Sequence, residues 1–270
     1  MEFSLEDFMK DWWDKQILRA DQLASQANGS GELLRFYGRL LRGQKGLYEA
    51  FRSRRDWLPS GDLESDLPAI HEILTTLIKL VSEYGSQPLA AEAEDLLAAG
   101  DDSVSELLLK YWDGSSDIEF FGKACLQPYL RWLAETDGRP AGRESSAGER
   151  QCPFCGGNPQ VSFLTATEEN ADSGNRYLIC GSCLLSWKFR RAVCANCGEE
   201  RPEKLAYFHS PEFDHIRIEA CDTCKHYLKG VDLTRFGLAA PIVDEVGAAP
   251  LDLWARDNGF TKIELNLVGV

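Results

Sequence analysis

Eight of the nine cysteines in this chain fall into four Cys-x-x-Cys pairs, Cys152/Cys155, Cys180/Cys183, Cys194/Cys197 and Cys221/Cys224, all in its second half. Two thiolates three positions apart sit on one tight turn and can grip the same ion, and a second such turn completes a tetrahedral set. Four turns therefore imply two closed sites. Segments stapled in this way need little hydrophobic core of their own, because bound metal supplies the folding energy.

The cysteine region reads as an internal repeat. The step from Cys152 to Cys194 equals that from Cys180 to Cys221 to within one position. The leading turns, Cys152-Pro-Phe-Cys155-Gly156 and Cys194-Ala-Asn-Cys197-Gly198, both place glycine after the second cysteine, where a positive φ turns backbone amides toward a thiolate. Neither trailing turn has that glycine; each is preceded at the same distance by an arginine, Arg176 or Arg217. An A-B-A-B order is what duplication of a self-contained unit produces. Sequential pairing is therefore expected, with Cys152, Cys155, Cys180 and Cys183 on one ion and Cys194, Cys197, Cys221 and Cys224 on the other. The alternative is a cross-brace joining the first and third turns. Four-sulfur sites suit zinc or iron, and the spacing alone does not separate them. With four protein ligands neither site keeps a position for substrate water, which argues against hydrolytic metal catalysis.

Composition narrows the context. Asp and Glu outnumber Lys and Arg by 43 to 29, a formal charge of −14. Each divalent ion on four thiolates adds a further charge of about −2. Nucleic-acid binding needs a basic surface to displace counterions, so it is disfavoured; the local stripe Lys188, Arg190 and Arg191 reads as a solvated strand face. The start of the chain carries Glu2, Glu6, Asp7, Asp11 and Asp14, unlike the basic start of an export signal. No apolar run approaches the roughly 18 residues that span a bilayer. These features predict a soluble, intracellular chain in a reducing compartment, where paired cysteines serve as metal ligands rather than disulfides.

Apolar residues at three-and-four spacing, as in Leu33, Leu34, Tyr37, Leu40 and Leu41, predict about six helices up to residue 136. Breaks fall at Asn28-Gly29-Ser30-Gly31, Pro59-Ser60-Gly61, Gly85-Ser86, Gly100-Asp101 and Gly114-Ser115. Ser103-x-x-Glu106 and Ser116-x-x-Glu119 are capping-box patterns that predict helix starts. The stretch DGRPAGRESSAGER has no apolar periodicity and reads as a linker. Short strands are expected at 160–165, 177–179, 184–189, 204–208 and 216–218, forming small hairpins, with the segment between Cys183 and Cys194 as a connector. A last helix is expected from Pro250 to Asn258, ended by Gly259.

Other reactive side chains read blandly. Cys125 lies among Phe120, Phe121, Ala124 and Leu126 on a bundle helix, as core. His209, His215 and His226 lie near the second site, but eight cysteines already fill both sites, which leaves these histidines surface or supporting roles. His71 is isolated, and no Ser-His-Asp set, phosphate loop or dinucleotide fingerprint is present.

Residues beyond the cysteines carry a resemblance. Cys-Pro-Phe-Cys-Gly-Gly-Asn-Pro (152–159), Arg-Tyr-Leu-Ile-Cys-x-x-Cys (176–183), Ser-Trp (186–187), Arg191, Cys-Ala-Asn-Cys (194–197) and Cys-Asp-Thr-Cys-Lys-His-Tyr-Leu-Lys (221–229) resemble the FdhE-like formate dehydrogenase accessory proteins. Leu126-Gln127-Pro128-Tyr129, Pro-Leu-Asp-Leu-Trp-Ala (250–255) and Asn-Gly-Phe (258–260) extend the likeness to about residues 117–270. The resemblance implies an N-terminal α-helical bundle followed by two tandem rubredoxin-like, zinc-ribbon-like metal modules and a short C-terminal helix. The corresponding divisions are a bundle over 1–137, a linker over 138–150, modules over 151–191 and 192–232, and a helix and tail over 233–270. It also implies a cytoplasmic, non-catalytic maturation factor that contacts the molybdenum- or tungsten-dependent catalytic subunit of formate dehydrogenase. Two tetrathiolate ions follow, with iron favoured by the resemblance and zinc the other choice; a homo-oligomer is compatible with it. An electron-transfer or thiol-redox protein is the competing reading.

Overall fold

The computed structural model describes residues 5–26, 31–55, 57–114, 120–136, 138–143, 148–166 and 174–269. Six helices build the first half: α1 (Leu5–Gln26), α2 (Gly31–Ser53), α3 (Leu63–Tyr84), α4 (Gln87–Ala99), α5 (Asp101–Trp112) and α6 (Phe120–Leu133). α2 buries Leu34, Tyr37, Leu40, Leu41, Gln44, Leu47, Tyr48 and Phe51, the three-and-four stripe of a helix that turns one face inward. α6 differs, because every residue from Phe121 to Leu133 is buried. A helix covered all round lies between two layers. Here one layer is the rest of the bundle and the other is the cysteine region.

One capping expectation is overturned. α5 begins at Asp101, with Gly100 at its cap, so Ser103 lies inside the first turn and its Oγ reaches only toward the Ala99 carbonyl at 3.5 Å. Gly100, at φ 87°, lets the chain enter the helix earlier, and Asp101 and Asp102 place negative charge at its positive end. Ser116 and Glu119 lie outside the described residues.

Beyond the bundle stand β1 (Pro159–Thr165), β2 (Asn175–Cys180), β3 (Ser186–Phe189), β4 (Leu205–His209), β5 (Ile216–Cys221), β6 (His226–Asp232) and β7 (Thr261–Lys262). β1, β2 and β3 form an antiparallel meander, and β4, β5 and β6 repeat it. Separate hairpins were expected; instead all seven strands share one sheet, in the order β3-β2-β1-β6-β5-β4, with β7 on β6. The two copies join head to tail where β1 runs parallel to β6, with Val161 opposite Lys229 and Phe163 opposite Val231. β3 falls within the strand expected at 184–189, so the segment that also reads as a connector is part of the sheet, whereas β6, absent from the expected strands, sits mid-sheet between β1 and β5.

The chain then returns through α7 (Pro241–Gly247) and α8 (Ala249–Asp257), the second matching the helix expected there, with Gly259 at φ 80° just beyond it. These helices close over a fully buried charge cluster. Lys229 on β6 bonds the Glu245 carbonyl and the Asp252 carboxylate, while Lys262 on β7 lies 2.7 Å from the Glu245 carboxylate. Tyr227 donates to Asp252 at 2.7 Å, and Gln160 of β1 donates to Glu245. Burial, with Lys262 close by, pulls the Lys229 ammonium down to about 8. Two cations on two carboxylates balance in charge, the condition under which buried ions are tolerated. On the far side of α7, Asp244 takes Arg19 from α1 at 2.6 Å and His215 at 2.9 Å, which ties the first helix to the second module.

Candidate metal centres

The eight paired cysteines gather into two sets of four, Cys152, Cys155, Cys180 and Cys183, and Cys194, Cys197, Cys221 and Cys224, with the sulfurs of each set within 4.8 Å of one another. This is the sequential grouping. β1 and β2 carry the first module's turns to a common end, and β4 and β5 do the same in the second.

Sulfur spacing tests whether a metal fits. Four sulfurs at about 2.3 Å from a central ion define a tetrahedron with edges of about 3.8 Å. The observed separations are 3.6 Å for Cys152–Cys183, 3.5 Å for Cys155–Cys180, and 3.7 Å for both Cys194–Cys224 and Cys197–Cys221. Each set could therefore hold one tetrahedral ion, supplied wholly by protein sulfur.

The four turns are built alike. In each, the amide after the second cysteine donates to the carbonyl of the first: Gly156 to Cys152, Leu184 to Cys180, Gly198 to Cys194 and Lys225 to Cys221, at 2.8 to 3.1 Å. The donor residue has positive φ every time, 67° and 79° at Gly156 and Gly198, and 60° and 57° at Leu184 and Lys225. Glycine marked only the leading turns in the sequence. The trailing turns adopt the same left-handed conformation without it, a cost the surrounding contacts must offset. Backbone amides aim at the sulfurs in both modules, Ser182 at Cys180 (3.3 Å) and Cys197 at Cys194 (3.5 Å).

Surroundings separate the two sets. All four cysteines of the first are buried, with none above 1% exposed. α6 closes over them: Gln127 donates to the Gly181 carbonyl at 2.7 Å and Arg131 to the Leu184 carbonyl at 3.2 Å. Lys123, one turn earlier on the same stripe, bonds Glu264 and the Leu265 carbonyl in the tail. Arg143 reaches the Cys155 carbonyl at 3.5 Å and the Ser182 hydroxyl at the same distance. Sequence reasoning placed all the chemistry beyond the linker and missed this polar stripe. Its signal was present, three polar side chains spaced by four on an otherwise apolar helix.

In the second set Cys194 and Cys221 are buried, Cys224 is half-buried and Cys197 is exposed. His226 bonds the Cys224 carbonyl at 2.7 Å, and Arg150 bonds the Asn196 carbonyl at 2.5 Å. Thr223, inside the trailing turn, donates to Glu199 at 2.6 Å. None of the histidines joins a metal-sized cluster among the described residues. His215 pairs with Asp244, and His71 faces Asp101 at 3.9 Å. Burial pushes the Cys125 thiol up to about 12, so it stays protonated in the core as expected.

Residues 151–191 match the family model described as FdhE, central domain, and residues 192–268 the model described as FdhE, C-terminal domain. A Protein FdhE homolog of Aquifex aeolicus is 34% identical over 209 residues, covering 76% of this chain and 72% of that one. A homolog from Pseudomonas putida is 27% identical over 287 residues, covering 95% and 86%. One from Haemophilus influenzae is 27% identical over 201 residues, covering 72% of this chain and 65% of its own length. The crystal structure of the FdhE protein from Pseudomonas aeruginosa superposes with a TM-score of 0.71 at 22% identity, covering 96% of this chain and 95% of that one, which is a likeness of fold.

Proposed function

The chain belongs to the FdhE family, and from that membership and its two closed four-sulfur sites we propose that it is a cytoplasmic accessory factor in the formation of active formate dehydrogenase. It binds the immature molybdenum- or tungsten-dependent catalytic subunit and does not itself oxidise formate. Cys152, Cys155, Cys180 and Cys183 hold one ion and Cys194, Cys197, Cys221 and Cys224 the other, iron in preference to zinc. Bound there, an ion supplies cross-linking and, if it is iron, a one-electron couple.

The sulfur geometry carries this reading. Separations of 3.5 to 3.7 Å leave each candidate ion fully coordinated by protein, which suits a scaffold better than a hydrolase. The residues of each module prepare its site. Backbone amides at Ser182 and Cys197 stabilise thiolate charge, and the left-handed turns fix the sulfur directions. The shared sheet then holds both sites in a fixed relation to the bundle, a rigid surface for a partner. The bundle over 1–137, the linker, the modules over 151–191 and 192–232 and the tail are the working divisions of that scaffold.

The test is genetic. A strain lacking this protein should lose formate dehydrogenase activity while still making the catalytic polypeptide, and plasmid-borne protein should restore it and co-purify with that subunit. Full activity without the protein would overturn the proposal.

A further inference from the structure

Each ligand set is built on two turns of the same design, with the same amide-to-carbonyl bonds and nearly equal sulfur separations. Any difference in how they treat an ion must come from what surrounds them. Around the first, α6 and residues 138–143 leave no cysteine sulfur open to solvent, and Arg131 and Arg143 bring positive charge to its backbone. Around the second, Cys197 stands at the surface and Cys224 is half open.

A repeat-equivalent pair sharpens the contrast. Gly157, two positions after Cys155, packs so closely that a Cβ there would sit 2.8 Å from the Cys180 sulfur. Its counterpart after Cys197 is Glu199, whose carboxylate bonds Thr223 in the trailing turn and Arg201 on the surface. The first site thus has a sealed glycine contact where the second has a longer side chain tied to Thr223 and to the surface Arg201.

We propose that the second site is an exchange site: its ion is given up to and retaken from thiolate or nitrogen ligands in solution through Cys197 and Cys224, while the first site keeps its ion as a permanent staple. This rests on the reading of both sets as metal sites. A competing ligand can approach the Cys197 and Cys224 sulfurs without moving the fold. When the Cys197 sulfur leaves, it takes a proton from water, while Cys221 stays paired with Leu205 in the sheet and the Cys194 amide stays bonded to the Glu199 carbonyl, ready for return. No such approach exists to Cys152, Cys155, Cys180 or Cys183 until α6 lifts. Occupancy of the second site then follows the supply of metal and competing thiols around the protein, and that of the first does not.

Full-length protein loaded with zinc and mixed with excess 4-(2-pyridylazo)resorcinol tests this by absorbance. One equivalent should leave in a fast phase and the other roughly tenfold to a hundredfold more slowly, the range that supporting-shell contacts contribute to metal retention. Alkylation mapped by mass spectrometry should label Cys197 and Cys224 in step with the fast phase. Cys197→Ser should remove the fast equivalent, and Gln127→Ala with Arg131→Met should speed only the slow one. Release of both equivalents in one phase, or early labelling of Cys152 or Cys183, would overturn the inference. Protein that never takes up two equivalents would instead overturn the two-site reading beneath it.

Discussion

Arg176 on β2 of the first module places its Nη2 2.6 Å from a carboxylate oxygen of Glu219 on β5 of the second, both side chains almost wholly buried. Arg217 reaches the other oxygen at 2.7 Å, and Ser162 of β1 adds a hydrogen bond at 3.0 Å. Arg176 and Arg217 are the repeat-equivalent arginines ahead of the trailing turns. One carboxylate therefore satisfies both copies of a duplicated residue at the joint between them. Gly230 on β6 leaves the space, since a Cβ there would sit 2.6 Å from the Glu219 carboxylate.

Replacing this carboxylate should be costly. Glu219→Ala strands two guanidinium groups, one fully enclosed, and should destabilise the protein by about 3–5 kcal/mol, the usual cost of breaking a buried pair. Arg217→Ala, at the more exposed arginine, should cost about 1 kcal/mol or less. Urea unfolding followed by tryptophan fluorescence checks the ranking; equal losses would contradict it.

Stability should fall on both sides of neutral pH. Burial alone would raise the Glu219 pKa, but Arg176 and Arg217 hold it below its ordinary 4.5. Its contribution is therefore present above that value and lost as pH falls through the depressed one. At His215 the hydrogen bond to Asp244 lifts the imidazole above 6.5. That contribution is complete below 6.5 and is lost as pH rises through the raised value. Thermal melts from acid to mildly alkaline pH should show a flatter alkaline limb in His215→Gln than in the parent. An unchanged limb would remove His215 from the account.

The stripe on α6 should couple the bundle to the first module. Gln127→Ala and Arg131→Met each leave a buried carbonyl, that of Gly181 or Leu184, without its donor, at about 1–3 kcal/mol. Hydrogen exchange across residues 180–185 should rise in both variants, with little change at residues 221–225.

Turn conformation should matter unequally for glycine and its counterparts. Gly156→Ala and Gly198→Ala force a Cβ into the left-handed region and should each cost about 1–2 kcal/mol. Lys225→Gly, which relieves the same strain on the surface, should be near neutral in a thermal melt.

Much of this was legible in the chain. Six bundle helices followed from apolar spacing and Gly-containing breaks, and the two four-cysteine sets from the A-B-A-B order of turns. What escaped reading depends on residues far apart in sequence. β6 opens directly on the Cys221–Cys224 turn and carries Lys229 and Gly230, so it lacks the apolar signature of an inner strand, although Lys229 is wholly buried. Glu245, Asp252 and Lys262 carry no local signal of burial, because their partners come from β6, β7, α7 and α8 together. The parallel pairing of β1 with β6 is also non-local, and local patterns do not encode it.

X-ray absorption spectroscopy with metal quantitation on the purified full chain tests the central claim most directly. The account expects two ions per chain, each surrounded by four sulfurs at about 2.3 Å with no nitrogen or oxygen ligand. A single ion per chain, or a first shell containing nitrogen or oxygen, would contradict it.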